Sequence, residues 1–336
     1  ESFEAGYVSI FARDEESGDY LCRTSSRRPA ALESGERGVA DEQAEQPLKL
    51  SRDAFVVKRL NSLSNPMVIE SVELETWTQA FSFASPAVRE ARERHPEVFA
   101  PDGRWRFHVH PFVVRSNGRT FLVDTGLGPE SAPAFAWSGT AGRLSSELAG
   151  AGIDPAEVEL VLITHVHDDH IGGNVADPTT PAFPSARYVV HRADWELMAN
   201  ATDEEDREIF AAVLAPLERA GVVELSESAF TVTDELRLEH APGHTPGHQV
   251  LSIDSSGERA LISGDLVNHP AQLLQPGLAS ATDMDPELAD ATREAWLERI
   301  EREGRIVAPA HFAEPFGTIT SDGDGRRWEP LVHGSG

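Results

Sequence analysis

Three imidazoles and two carboxylates crowd into six positions, His165-Val166-His167-Asp168-Asp169-His170, directly after the mostly apolar run 158–164. Imidazole and carboxylate are the ligands that borderline divalent metals prefer, and packing alone does not call for such density. A loop that follows a strand can turn several of these groups toward one point. Gly172-Gly173 then lets the backbone come close. Four ligands from one loop cannot complete two metal shells, so further His or Asp should end later apolar runs. They do: His244 sits in the Pro/Gly-punctuated turn 241–248, Asp265 follows Ala260-Leu261-Ile262-Ser263-Gly264, and His311 follows Ile306-Val307-Ala308-Pro309-Ala310.

The chemistry therefore lies where strands give way to loops. Apolar periodicity predicts strands over 68–74, 107–114, 120–124, 158–164, 187–191, 230–232, 236–239, 249–253, 260–263 and 305–308. The dipeptide Asn117-Gly118 joins two of them as a hairpin. Helices are expected over 87–98 behind Ser85-Pro86, over 144–148, 194–198 and 203–219, and over 286–303 with Leu288, Ala291, Ala295, Trp296 and Ile300 on its apolar face. Mixed strands with few, long helices point to an α/β or α+β layered domain, its sheets covered by helices on their outer faces. Residues 13–46 are rich in Glu, Arg, Ser, Ala and Gly, with little apolar periodicity. Residues 1–64 are accordingly expected to be a polar, largely disordered extension, and residues 65–336 the functional domain.

Composition narrows the function further. Of the 336 residues, 40% are hydrophobic, enough for a buried core, yet the apolar runs are strand-sized and no membrane span is expected. Lys and Arg total 29 against 56 Asp and Glu, a formal charge of −27. A surface this acidic repels phosphate backbones, so no nucleic-acid partner is expected. Cys22 is the only cysteine, which excludes an intrachain disulfide and a thiolate zinc cluster. The chain starts at Glu1, and the residues present show no basic start followed by an apolar run; a cytoplasmic location is the default expectation.

His165 to His170 meet in full the HxHxDH signature of the metallo-β-lactamase-fold superfamily, which the chain resembles from about residue 65 to 332. His244, Asp265 and His311 correspond, in order, to that family's third histidine, bridging aspartate and final histidine. The resemblance implies an αββα sandwich of two mixed sheets flanked by helices, with a dinuclear centre at one edge. It implies that His165, His167 and His244 hold one ion and that Asp169, His170 and His311 hold the other, with Asp265 between them. Asp124, in Leu122-Val123-Asp124-Thr125-Gly126, matches the family's carboxylate that orients a liganding imidazole. Asp169, Asp265 and Asp124 are thus the candidate catalytic carboxylates. The cofactors implied are two divalent ions, zinc first, with manganese, iron or cobalt also suited to these ligands.

Within the superfamily the chain most resembles the lactonase and methyl parathion hydrolase branch, through residues 244–248, 264–269 and 310–312. This implies metal-activated hydroxide attacking the carbonyl of a small lactone or ester, or a phosphotriester. A glyoxalase II-like thioesterase and a sulfur dioxygenase-like iron protein are the alternatives. Homoserine lactonases of this fold carry a tyrosine shortly after the bridging aspartate, whereas here Asn268 stands three positions after Asp265, which argues against homoserine lactone specificity. Asn268 or His269 could instead donate a hydrogen bond to a substrate carbonyl. His108 and His110 are expected to be structural, Asp168 and His248 to be neighbours of ligands rather than ligands, and a homodimer is compatible with the sequence.

Overall fold

Leu160 and Leu162 point one way from their strand, Val161 and Ile163 the other, and all four are buried. A strand covered on both faces has no polar side, which explains an apolar run with little alternation. The computed structural model describes residues 9–13, 20–24, 48–50, 66–68, 72–77, 86–100, 105–321 and 325–331. Two sheets dominate it. The first has six strands in the order Val223–Ser226, Arg187–His191, Val158–Leu162, Arg119–Val123, Phe112–Ser116, Pro66–Val68; its first four strands run parallel and the last two alternate. The second has seven, in the order Ala229–Thr231, Leu236–His240, Gln249–Ser255, Glu258–Gly264, Ile306–Pro309, Gly317–Ser321, Arg326–Pro330. Only the Glu258–Gly264 and Ile306–Pro309 pair in it is parallel.

The two sheets share one core. Phe121, Val123, Leu160, Leu162 and Val189 of the first meet Leu238, Leu251, Ile253, Ile262 and Ala308 of the second. Leu122, Val161 and Val190 instead face outward, onto Leu148, Met198 and Leu217 from the helices Leu144–Gly150, Arg192–Ala199 and Ala215–Ala220. On the far side Val250, Leu261 and Val307 meet Trp296, Leu297 and Ile300 of the helix Pro286–Glu303. The layers therefore run helix, sheet, sheet, helix, the αββα sandwich that the sequence implied. No helix among the described residues is long and apolar enough to cross a membrane.

Several expectations change in detail. The strand read over 107–114 is two strands, Trp105–Val109 and Phe112–Ser116, in different sheets. The break falls at Pro111, which has no N–H for a ladder, while His110 N–H turns away to the Ala310 carbonyl at 3.0 Å. The strand read over 68–74 is likewise two pieces, Pro66–Val68 and Val72–Trp77, with 69–71 outside the described residues. The first helix stops at Arg94, ahead of Pro96, and its Ser85 cap lies outside the described residues. The helix read over 203–219 passes through a π-helical turn, Phe210–Leu214, just before Pro216, whose missing N–H cannot continue an α-helical ladder. In Pro286–Glu303 the buried face is Ala289, Arg293, Trp296, Leu297 and Ile300, whereas Leu288 is 42% exposed. Strands at Val223–Ser226, Gly317–Ser321 and Arg326–Pro330 were not foreseen. Of residues 1–64, the described parts are Ser9–Arg13, Tyr20–Thr24 and Leu48–Leu50, which pair as a three-stranded antiparallel sheet.

Leu251 is fully buried between the sheets. Replacing it with alanine should cost about 2–5 kcal/mol in denaturant unfolding; a cost below about 1 kcal/mol would mean that this interface is not tightly packed.

Candidate metal centre

All the candidate ligands leave the sandwich at one edge, beyond the carboxyl ends of strands. His165, His167, Asp169 and His170 follow Val158–Leu162 of the first sheet. His244 follows Leu236–His240, Asp265 follows Glu258–Gly264 and His311 follows Ile306–Pro309, all of the second sheet. The turns need glycine where they are tightest. A side chain on Gly172 would run into the Leu127 carbonyl, and Gly264 has a left-handed φ of 49° immediately before Asp265.

Two groups of ligand atoms result: His165, His167, His244 and Asp265 in one, Asp169, His170 and His311 in the other, each within 4.8 Å. Asp265 reaches both. Its Oδ2 lies 3.2 Å from His244 Nε2 and 3.9 Å from His165 Nε2, and its Oδ1 lies 3.1 Å from His170 Nε2 and 2.9 Å from His311 Nε2. Asp169 Oδ2 completes the second group at 3.6 Å from His170 Nε2 and 3.8 Å from His311 Nε2.

The outward nitrogens fix the tautomers. His170 Nδ1–H donates to Asp124 Oδ2 at 2.8 Å, His311 Nδ1–H to the His108 carbonyl at 2.6 Å, and His244 Nδ1–H to Asp283 Oδ1 at 3.0 Å. Thr164 Oγ1 gives its hydrogen to Asp124 Oδ2, so it accepts from His165 Nδ1 at 3.1 Å. In the neutral form of these four rings each Nε2 presents a lone pair to its neighbours. His167 Nδ1 stands 3.0 Å from both His165 Nε2 and His244 Nε2, and one ring hydrogen could serve only one of them. Asp265 Oδ1 is buried and accepts no hydrogen bond. Lone pairs and a carboxylate facing one another at these distances repel unless a cation lies among them, and nitrogen and oxygen donors in this arrangement suit divalent ions.

The titration behaviour divides the rings into two pairs. Burial opposes charge on His244, yet Asp265 and Asp283 lift it to about 9; burial is likewise overcome at His170 by Asp169, Asp265 and Asp124. Burial and the neighbouring imidazoles hold His165 and His167 well below the usual range, leaving them neutral. Burial also works against the Asp265 carboxylate, but His311, His170, His165 and His244 keep it well below the usual carboxylate range. The carboxylates draw positive charge toward His170 and His244, while burial and the crowded imidazoles oppose it at His165 and His167.

A supporting layer holds these groups. Asp124, at a left-handed φ of 58°, accepts the Thr164 N–H on Oδ1 at 2.7 Å and both Thr164 Oγ1 and His170 on Oδ2. His248 is not among the ligand atoms: its Nδ1–H donates to the Ala241 carbonyl, its Nε2 accepts the Asp265 N–H at 3.0 Å, and burial pushes it down to about 3. Asp194 accepts Thr245 Oγ1 at 2.7 Å and Gly247 N–H at 2.6 Å, pinning the His244 turn. His110 Nε2–H donates to the Phe312 carbonyl, so His108 and His110 support the His311 segment rather than enter the centre. Asn268 donates to Asp265 Oδ2 at 3.1 Å. The His269 ring is buried edge-on against Phe99 and Trp105, with Nδ1 accepting the Ala271 N–H. The sequence pattern did not single out Asp194, Asp283 or Arg293; only Arg293 left a trace, a charge on the buried face of a helix.

A cavity of about 480 Å³ opens beside Asp169 and Asp265. Trp105, Phe107 and Trp137 form an aromatic wall, and Phe107 stacks on His311 at 4.1 Å. Asp168, Glu205 and Asp206 bring carboxylates, and among the described residues the lining includes neither Lys nor Arg. Trp137 Nε1–H donates to Asp168 Oδ2 at 2.7 Å, and burial together with Asp169 pushes the Asp168 carboxyl up to about 6.

The model of the metallo-β-lactamase superfamily matches residues 104–311, and the chain belongs to that superfamily. It is a metal-dependent hydrolase whose relatives include lactonases. An N-acyl homoserine lactonase of Bacillus sp is 29% identical over 217 residues, spanning 60% of this chain and 80% of the relative. Two solved structures share the fold over 80% of this chain at 21% identity. They are the hydrolase AbOPH of the β-lactamase superfamily, with a TM-score of 0.70 over 95% of its chain, and the dizinc quorum-quenching lactonase AidC, with 0.68 over 94%.

Asp124→Asn puts an amide donor against either Thr164 or His170. Zinc affinity, measured by competition with a chromophoric chelator, should fall about 10–100-fold; unchanged affinity would remove Asp124 from the supporting layer.

Proposed function

We propose that the chain is a dinuclear metal-dependent hydrolase acting on the carbonyl of a small, uncharged lactone or ester. The observation that carries this reading is the division of the Asp265 carboxylate, one oxygen toward His165 and His244 and the other toward His170 and His311. In this reading His165, His167 and His244 hold one ion, Asp169, His170 and His311 the other, and Asp265 bridges. Zinc is the first choice, with manganese, iron and cobalt suited to the same donors. Two such ions would acidify a shared water and polarise the substrate carbonyl, chemistry that needs no serine or cysteine nucleophile.

The chain's own groups do the rest. Asp265 Oδ1, which accepts no hydrogen bond, is available to hold the proton of an attacking water. Asp124 and Thr164 fix the His170 and His165 rings so that their Nε2 atoms cannot turn away. Trp105, Phe107 and Trp137 shed water from the substrate and receive its apolar part. Asn268 Nδ2 gives one hydrogen to Asp265 Oδ2 and keeps a second, and Asn268 lines the cavity, so a contact from its amide to the substrate carbonyl belongs to this reading. The hydrolase domain is taken as residues 65 to 336, with 1–64 an extension outside it, since Pro66–Val68 is the first segment in sequence to join the two main sheets.

The cavity lining also separates the lactone and ester reading from a thioesterase acting on glutathione or similar anionic conjugates. Such substrates need cationic partners, and the lining offers Asp168, Glu205 and Asp206 instead.

Stripping the full chain with a chelator should abolish hydrolysis of neutral lactones and aryl esters, and zinc, manganese or cobalt should restore it. Asp265→Ala should lower turnover by several orders of magnitude and metal content with it. A stripped protein as fast as the loaded one, or a trapped acyl-enzyme, would overturn the mechanism. For paired aryl esters differing only in charge, Glu205→Gln and Asp206→Asn should each improve kcat/KM for the anionic member about twofold, the effect of one charge some 8 Å away in a water-like medium. A wild-type preference for the anionic member would overturn the substrate reading.

A further inference from the structure

Arg293 is one of the largest fully buried side chains in the described residues, at 2% exposure, and it stands on the apolar face of Pro286–Glu303 among Ala289, Trp296, Leu297 and Ile300. A buried ion pair is weak as a source of stability, since a well-packed apolar pair of similar volume often serves as well. Its partners are what distinguish it. Arg293 Nε–H donates to the carbonyl of Leu266, the residue after Asp265, at 2.9 Å, and its Nη2 donates to Asp283 Oδ2 at 3.3 Å. The other oxygen of Asp283 accepts the His244 Nδ1–H. One guanidinium thus holds the backbone beside the shared carboxylate and, through Asp283, the ring of a ligand from a different strand.

The surrounding backbone tightens the same link. Ser280 N–H donates to Asp283 Oδ2 at 2.8 Å, Met284 N–H to the His244 carbonyl at 3.0 Å and Asp285 N–H to the Gly243 carbonyl at 2.9 Å. Asp285 then caps the helix that carries Arg293 through Leu288 N–H. A side chain on Gly243 would strike the backbone of Ala289, so the His244 turn lies directly on the first turn of that helix.

We propose that Asp283 and Arg293 form a positioning pair that sets the His244 ring and the Asp265 loop in register with each other, and so assembles the ion site of His165, His167 and His244. The inference rests on the metal-centre reading above. The planar guanidinium suits the task because its donors diverge in a fixed fork; a lysine is a single point donor and cannot span the Leu266 carbonyl and Asp283 together. Asp283 keeps His244 in the tautomer whose Nε2 lone pair faces inward. The pair touches neither substrate nor the reacting water.

The test uses the full chain, stripped of metal, titrated with zinc against a chromophoric chelator and melted in the stripped state. Wild type should take two zinc equivalents. Asp283→Asn, which cannot satisfy His244, Ser280 and Arg293 at once, should weaken one equivalent about 10–100-fold, and Arg293→Lys should act in the same direction. In the double variant Asp283→Asn with Arg293→Met, removal of both charges should return the melting temperature of the stripped protein close to that of wild type while zinc affinity stays weakened. A purely structural pair would instead recover both together, and that result would overturn the proposal. So would a folded Asp283→Asn or Arg293→Lys protein that binds both equivalents at wild-type affinity. A wild-type chain that takes up no zinc, manganese or cobalt would instead overturn the metal-centre reading itself.

Discussion

Electron-pair donors facing one another in a buried space repel, and the edge of this sandwich brings them together from both sheets. Four Nε2 lone pairs, one Nδ1 and two carboxylates converge, while the outward ring nitrogens of His170, His244, His311 and His165 are held by fixed acceptors: Asp124, Asp283, the His108 carbonyl and Thr164. Rotating any one of these rings would break a buried hydrogen bond, and an unmatched buried partner costs about 1–3 kcal/mol. The arrangement is therefore stiff before any ion arrives. The supporting layer gives it that stiffness, so the loops, the capped helix 286–303 and the close glycine contacts can all be understood as serving it.

The ligands were legible because their chemistry is local. Five coordinating or acidic groups fall within His165 to His170, Asp265 and His311 each end an apolar run and His244 sits in a Pro/Gly-punctuated turn, so residue type and strand position sufficed. The layered fold was legible for a related reason, since runs such as 158–164 have no polar side and must be covered twice. The supporting layer was hidden because its logic is spatial. Asp283 stands 39 residues from His244 and looks like any turn aspartate ahead of a helix cap, and Asp194 looks like an ordinary acidic residue in a first helical turn. Arg293 was detectable in principle as a charge at a core position, but reading Leu288 as part of that face shifted the apparent stripe away from it. Pro111 and Pro216 both redirect the chain for want of an N–H, and periodicity of side chains does not register a missing backbone donor.

Charge is distributed with the same economy. The formal charge of −27 gives the surface a strong negative bias, yet the buried cations are placed individually. Arg293 bridges Asp283 and the Leu266 carbonyl, and Arg305 joins the Ala260 carbonyl to Glu303 and Asp254 across the end of the second sheet. Neither reaches the cavity. The carboxylates of Asp168, Glu205 and Asp206 are left, with Asp169 and Asp265, to set its potential.

Each of the two ligand groups draws members from both sheets: His165 and His167 with His244 and Asp265, Asp169 and His170 with His311. Direct hydrogen bonds cross the same edge as well, among them Gln249 N–H to the Thr164 carbonyl at 2.8 Å, Gln249 Nε2 to the Ile163 carbonyl at 3.2 Å and Asp194 with Thr245 Oγ1 and Gly247 N–H. Parting the layers there and losing an ion would be one event. A ligand that binds only the closed form adds about 2.7 kcal/mol when its free concentration is a hundred times its dissociation constant, a sizeable share of the stability of an ordinary domain. The supply of metal in the surroundings would then govern how long the folded chain persists as well as how fast it turns over.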